Sequence, residues 1–112
     1  MTGKWTPITV ENLRILILKG ELELNDNQLN FWDIIKIEPE KWKEKEYGTE
    51  GGGFWVVAIF GREVIYYNDI EEGFNISTYK KYGEIEEYKC NQSDLNGSVI
   101  GLMDRIKAHR FL

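Results

Sequence analysis

One run of seven residues constrains the fold of this chain more than any other feature: Phe54-Trp55-Val56-Val57-Ala58-Ile59-Phe60. The run is apolar throughout, rich in β-branched and aromatic residues, and bounded by Gly53 and Gly61. A run this short has the length of a strand and is too short for a typical helix. A strand that is apolar on both sides is buried on both sides. The sequence therefore predicts a sheet with this run inside it.

Further strands are predicted on either side of this run. Gly61-Arg62 is typical of a type II′ hairpin turn, which would return the chain as a second strand. The remaining candidate strands, in chain order, are a solvated edge strand around Lys41–Glu46, the return strand Glu63–Asn68, a third strand Phe74–Tyr79 and a fourth strand Glu84–Lys89. Short segments separated by turn residues in this way indicate an antiparallel meander of three to five strands.

Three helices are predicted around the strands. The first begins at Thr6-Pro7 or Thr9, which are good helix starts, and ends at Gly20. The second begins near Asn25 or Asp26. The third follows Ser93 or Asp94 and has a regular apolar face made of Leu95, Val99, Leu102, Met103 and Ile106. Two N-terminal helices, a meander and one C-terminal helix define an α+β fold, a single domain over residues 1–112 with one sheet face on the helices and the other partly open. We expect Gly97 and Gly101 to allow close approach of the last helix to the sheet.

Composition and charge exclude several classes of function. The chain has 112 residues and a net charge of −5, so it lacks the basic patch typical of nucleic-acid binders and would be repelled by an anionic membrane. The longest purely aliphatic run, Ile15–Leu18, is too short for a signal peptide or a membrane span. Cys90 is the only cysteine. We therefore expect a cytoplasmic protein without disulfides.

No complete catalytic or metal-binding motif occurs in the sequence. His109 is the only histidine, and we expect it to lie at a helix end while Cys90 is a small buried residue, so a nucleophilic pair is not predicted. The glycine run Gly51–Gly53 leads into a strand, whereas a phosphate-binding loop leads into a helix. The acidic stretch Asp69–Glu72 lacks the length of a calcium loop. The sequence therefore predicts no catalytic residue, no metal and no cofactor.

The excess of negative charge is confined to one segment. Residues Glu63–Tyr88 contain seven acidic residues and two lysines, whereas the rest of the chain contains twelve acidic and twelve basic residues. Tyrosines are interleaved with these acids, and tyrosine is common at protein interfaces. The candidate partner-binding residues are Tyr67, Asp69, Glu71, Glu72, Tyr79, Glu84, Glu86 and Glu87. The pattern predicts a surface for a basic protein, and a merely solvated sheet face is the alternative.

The sequence also resembles a known class of protein. The run Gly53–Gly61, followed by Val64–Asn75, is similar to small bacterial immunity proteins of contact-dependent growth inhibition and related polymorphic toxin systems, and Tyr67–Phe74 is the distinctive piece. This resemblance implies a cytoplasmic protein that binds and blocks one cognate toxin. Such toxins are often nucleases with basic clefts. No functional residue is carried over from the family.

Two other functions are compatible with the sequence. A small hydrolase would use the carboxylates of Asp69–Glu72 and would need a concave pocket with raised carboxyl pKa values there. A scaffold domain would instead meet its partners through an open sheet edge. The oligomeric state is not determined by the sequence, and a monomer is favoured.

Overall fold

A computed structural model describes residues 5–109 of the chain, except for the side chains of residues 49, 50 and 109. The predicted α+β fold is confirmed. The elements are α1 (Val10–Glu21), α2 (Asp26–Ile35), β1 (Lys36–Trp42), a 3₁₀ turn (Gly48–Gly51), β2 (Phe54–Phe60), β3 (Glu63–Asn68), β4 (Gly73–Thr78) and α3 (Leu95–His109). The side chain of His109, and Arg110 beyond it, lie outside the described residues, so the expectation about His109 stays a prediction.

The two N-terminal helices begin where their capping residues predict. The Thr9 side chain accepts a hydrogen bond from the Asn12 amide at 3.1 Å. Asn25 and Gln28 form a reciprocal capping box, with both bonds at 2.9 Å. The predicted end of α1 at Gly20 is wrong, because the helix continues to Glu21. Gly20 lies inside the last turn, where it touches α3 instead of ending the helix.

The four strands form one antiparallel sheet in the order β1-β2-β3-β4. Gly61, in the turn between β2 and β3, has a φ of 59°, as a primed hairpin turn requires. The predicted fourth strand Glu84–Lys89 is wrong, since within it only Glu84 forms a β-bridge, to Lys43. The edge strand predicted around Lys41–Glu46 exists, but it is shifted toward the N-terminus and ends at the buried Trp42.

One face of the sheet packs against all three helices. Its core combines residues of the helices and of β2, β3 and β4: Leu13, Trp32, Ile35, Val57, Ala58, Ile65, Tyr67, Phe74, Leu95, Val99 and Leu102. The predicted apolar face of α3 is confirmed, because Leu95, Val99 and Leu102 are buried there. The register shifts between Val56 and Ala58, which lets two successive strand residues face the helices.

The other face of the sheet is covered, so the prediction that it is partly open is wrong. The irregular segment 79–93 lies across it and contributes Tyr79, Ile85 and Tyr88 to a second core with Trp42 and Tyr66. The Tyr66 hydroxyl donates to the Glu87 carbonyl at 3.1 Å and accepts from the Lys89 amide at 2.8 Å. These bonds take the place of strand pairing. The backbone groups of Glu87 and Lys89 bond a side chain instead of the backbone of a neighbouring strand.

Both edges of the sheet are protected against pairing with another strand. On β1, Pro39 lacks an amide proton, and the register with β2 is irregular between Lys36 and Glu40. On β4, the Asn75 side chain bonds both the carbonyl and the amide of Asn91, at 3.0 and 3.1 Å. A scaffold role through an open sheet edge is therefore disfavoured.

Candidate protein-binding groove

The acidic residues predicted to bind a partner lie at opposite ends of the sheet. The turn Asp69–Glu72 connects β3 to β4 at one end. Glu86 lies at the other end, where its amide bonds the carbonyl of Thr78, the last residue of β4. A strand of six residues spans about 17 Å, so the two groups cannot act as one patch.

The acids at the far end are largely compensated by lysines. Glu84 pairs with Lys81 at 3.7 Å and Glu86 with Lys80 at 3.4 Å. Glu87 lies 3.9 Å from Lys89, which follows the acidic segment directly. Exposed ion pairs of this kind add little stability, but they cancel the field that a basic partner would sense.

Tyr79 at this end serves mainly the second core. Its ring is half-buried and meets Trp42 edge-on at 5.1 Å between ring centroids. Its hydroxyl donates to the Gly61 carbonyl at 2.8 Å, which ties the end of β4 to the β2–β3 turn. Tyr79 therefore has a structural role in addition to any contact with a partner.

The turn Asp69–Glu72 is built by the residue that precedes it. The Asn68 side-chain oxygen accepts from the amides of Ile70 and Glu71, at 3.0 and 3.2 Å. Such side-chain bonds favour tight turns. Glu72 ends the turn with a φ of 60°, a conformation that glycine adopts more easily. The turn thus holds the Glu72 backbone in a fixed, left-handed conformation.

A groove of about 290 Å³ lies beside Glu72, between the C-terminal turn of α1 and the N-terminus of α3. Three carboxylates line it, those of Glu23, Glu72 and Asp94. Their side chains form no ion pair with any residue that the structure describes. Lys19 is the only cation among the described lining residues, so the groove carries an excess of negative charge.

The apolar wall of the groove includes Tyr67, which is 6% exposed and packs against Phe74 at 4.9 Å between ring centroids. Its hydroxyl forms no hydrogen bond with the described residues. The hydroxyl oxygen is not fully buried either, so it is accessible to solvent on the side of the groove. Burial, followed by the charges of Glu72 and Asp69, raises the pKa of Tyr67. The group stays a neutral hydrogen-bond donor at neutral pH.

The groove unites only two of the predicted site residues, Tyr67 and Glu72. Asp69 and Glu71 lie on the same turn but do not line it, and the other four are at the far end. Three groove residues are not predicted from the sequence: Lys19 in α1, Glu23 in the chain after it and Asp94 directly before α3. No local pattern marks them, because only the packing of α1 against α3 brings them to the β3–β4 turn.

Asp69 meets one expectation of the hydrolase alternative. Burial raises the pKa of its carboxyl group, although the Ile8 amide donates to Oδ2 at 2.8 Å. Lys41 lies on the same side, with its pKa lowered by burial, and its amino group donates to the carbonyls of Gly51 and Gly53 at 2.9 and 3.2 Å. Both side chains thus hold backbone segments in place, while the second oxygen of Asp69, Oδ1, is buried without a hydrogen-bond partner among the described residues.

The raised pKa of Asp69 gives a pH-dependent prediction. A carboxyl group with a folded-state pKa above its unfolded value destabilises the fold once it ionises, so wild-type stability falls as pH rises through that pKa. We expect Asp69→Asn to gain stability relative to wild type between about pH 4 and pH 7. Urea unfolding of both proteins across this range measures the difference. A difference that stays constant with pH would contradict the assignment.

The remaining candidates for chemistry are structural or isolated. A larger cavity, of about 520 Å³, is lined by Lys43, Lys45 and Glu84 together with the buried Glu44. The Glu44 carboxylate accepts from the amides of residues 46–48 at 2.6–3.1 Å, which fixes the turn there.

Cys90 is exposed, so the expectation that it is buried is wrong. Within residues 5–109 no group of three acidic, histidine or cysteine side chains is arranged to hold a metal ion.

No protein-family model matches this chain, and no curated protein or solved structure gave a significant match. The resemblance to immunity proteins therefore stays a prediction. None of the helices within residues 5–109 has the length and apolar character needed to span a bilayer.

Proposed function

We propose that this protein is a cytoplasmic immunity protein that binds a basic toxin, a nuclease, and blocks it stoichiometrically. The observation that carries the proposal is the groove beside Glu72, which is lined by three acidic residues without ion-pair partners and by Tyr67, whose hydroxyl has no partner among the described residues. Elsewhere in the acidic segment the carboxylates of Glu84, Glu86 and Glu87 are paired with lysines. Within the segment, acids without an ion pair therefore remain only on the turn Asp69–Glu72, of which Glu72 lines the groove.

A basic nuclease is the class of toxin that this groove fits best. A nuclease cleft binds phosphates through lysine and arginine, so it presents the charge opposite to the groove. Complementary charge accelerates association and rejects partners of the same sign. The turn that carries Glu72 is fixed by Asn68, so little ordering is needed on binding.

Charge reversal on the turn tests the proposal. We expect Glu72→Lys to weaken the complex at least about tenfold, because the new lysine faces a basic partner inside the groove. Glu71→Lys is the matched control, since Glu71 has the same charge one residue away but does not line the groove. Binding to a candidate nuclease toxin domain, measured by calorimetry at two salt concentrations, gives both affinities. Equal losses in the two variants would place the interface elsewhere, and the absence of any complex would refute the function.

The hydrolase remains a second candidate because of the raised pKa of Asp69. The carboxylate does not line the groove, and one of its oxygens is occupied by the Ile8 amide. If the protein is a hydrolase, it must show hydrolytic activity, and that activity must disappear in the Asp69→Asn variant. The proposed immunity function instead requires that toxin binding survive this substitution.

A further inference from the structure

We propose that the groove beside Glu72 is a socket for one arginine side chain of the partner. The proposal rests on the proposed function only in that the arginine belongs to a basic protein. Its basis is local: among the described residues, three acidic residues without ion-pair partners, one tyrosine without a hydrogen-bond partner and an apolar wall line the same space of about 290 Å³. A space of this size can hold one long side chain.

The polar groups of the groove match a donor with several N–H groups. Glu23, Glu72 and Asp94 line the groove from three separate segments of the chain, and all three residues are exposed, so their carboxylates are free to turn toward one ligand. A guanidinium group offers five donors in one plane and can bond more than one of them at once. A lysine ammonium is a compact, strongly hydrated charge that gains less from such an arrangement.

Tyr67 provides the observation that is independent of the acidic residues. Its side chain is 6% exposed, and its hydroxyl has no partner among the described residues although it borders the groove. The hydroxyl of a tyrosine buried to this degree usually bonds a partner within the protein, whereas this hydroxyl is left to solvent. A ligand that lies against the wall of Tyr67 and Phe74 would supply that partner and cover the apolar surface with the flat face of its guanidinium.

The ends of the neighbouring helices have opposite effects on a cation. The groove is bordered by Gly20 and Glu23, at the negative end of the α1 dipole, which favours a cation. It is also bordered by Leu95 at the positive end of α3, where Asp94 offsets the dipole. Lys19 is the remaining opposing charge, so removing it should tighten the binding of an arginine.

The experiment uses the complete protein and short peptides in place of the toxin. We titrate ¹⁵N-labelled protein with acetyl-Gly-Arg-Gly-amide and follow backbone amide shifts by NMR. The expected result is a saturable shift confined to residues around Glu23, Glu72 and Asp94, with a dissociation constant of about 10 mM or below. The lysine peptide should bind at least about threefold more weakly, and the citrulline peptide, which has the same shape without the charge, should not saturate.

Two variants separate the socket from general electrostatic attraction. Tyr67→Phe should weaken binding of the arginine peptide about two- to tenfold and leave the fold intact, because the lost hydroxyl bonds none of the described residues. Lys19→Gln should strengthen binding. The proposal is overturned if the citrulline peptide binds equally well, if the shifts lie outside the groove or are absent, or if Tyr67→Phe does not change the dissociation constant.

The outcomes distinguish this inference from the proposed function. An arginine peptide that binds in the groove while no toxin complex forms would support the socket and refute the immunity function. A toxin complex that is sensitive to Glu72→Lys, without any binding of the arginine peptide, would support the immunity function and refute the socket.

Discussion

Trp42→Ala is expected to lower the free energy of unfolding by about 3–5 kcal/mol. Trp42 is 1% exposed and lies at the end of the edge strand β1, where Tyr79 and Tyr82 contact its ring at 5.1 and 4.7 Å between centroids. The substitution leaves a cavity under the irregular segment 79–93, which has few ladder bonds of its own. Natural domains are stable by only about 5–15 kcal/mol, so this loss is a large part of the total.

Urea unfolding measures the loss, and hydrogen exchange locates it. Amides such as that of Lys89, which bonds the Tyr66 hydroxyl, should lose protection before those of α3. Tyr82→Ala is the control, because it removes a ring that touches Trp42 but is 60% exposed. We expect Tyr82→Ala to lower the free energy of unfolding by about 1 kcal/mol or less. Similar costs for the two variants would show that the second core contributes little to stability.

The helices and the central strands were predictable because their signals are local. The apolar run Phe54–Phe60 forms β2 within its predicted bounds, and Asn25 caps α2 where its side chain predicts. The segment Glu84–Lys89, which contains Ile85 and Tyr88, was predicted as a strand because it follows the turn residues Tyr82-Gly83. Both residues do enter the second core, but they are three apart, whereas strand residues on one face are two apart.

What replaces the strand is a set of long-range bonds that no local pattern encodes. Tyr66 and Asn68 of β3 bond the backbone of residues 87 and 89 with their side chains, at 2.8–3.1 Å. From sequence alone a tyrosine in a strand predicts burial, but it does not predict which backbone group its hydroxyl will bond. The second sheet face was therefore predicted to be partly open, although residues of the segment 79–93 cover it.

The candidate site was only partly predictable for a related reason. Counting charges located the acidic excess between Glu63 and Tyr88, but counting does not show which acids are paired. The pairs with Lys80, Lys81 and Lys89 compensate one end of the sheet. The acids that complete the groove, Glu23 and Asp94, lie outside the segment and are brought there by helix packing.

That packing depends on Gly20, and Gly20→Ala is expected to cost about 1–3 kcal/mol of stability. A Cβ at Gly20 would lie 2.6 Å from the Leu95 Cβ and 3.0 Å from its Cδ2. Leu95 is 1% exposed and its Cβ moves only with the α3 backbone, so the two helices must separate. The gain in helix propensity, about 1 kcal/mol at most near a helix end, does not offset this overlap. Both residues line the groove, so arginine-peptide binding should weaken as well.

Gly101→Ala is the matched control, and we expect it to raise the free energy of unfolding instead of lowering it. A Cβ at Gly101 would lie 3.4 Å from the Ile76 Cδ1, an ordinary contact, so the close approach that this glycine was expected to allow is not needed. The helix gains up to about 1 kcal/mol from alanine, because glycine loses more backbone entropy on folding. Urea unfolding of the two variants compares the same chemical change on two helices. If both variants are stabilised, the contact between α1 and α3 has room for a methyl group, and the groove does not depend on their close approach.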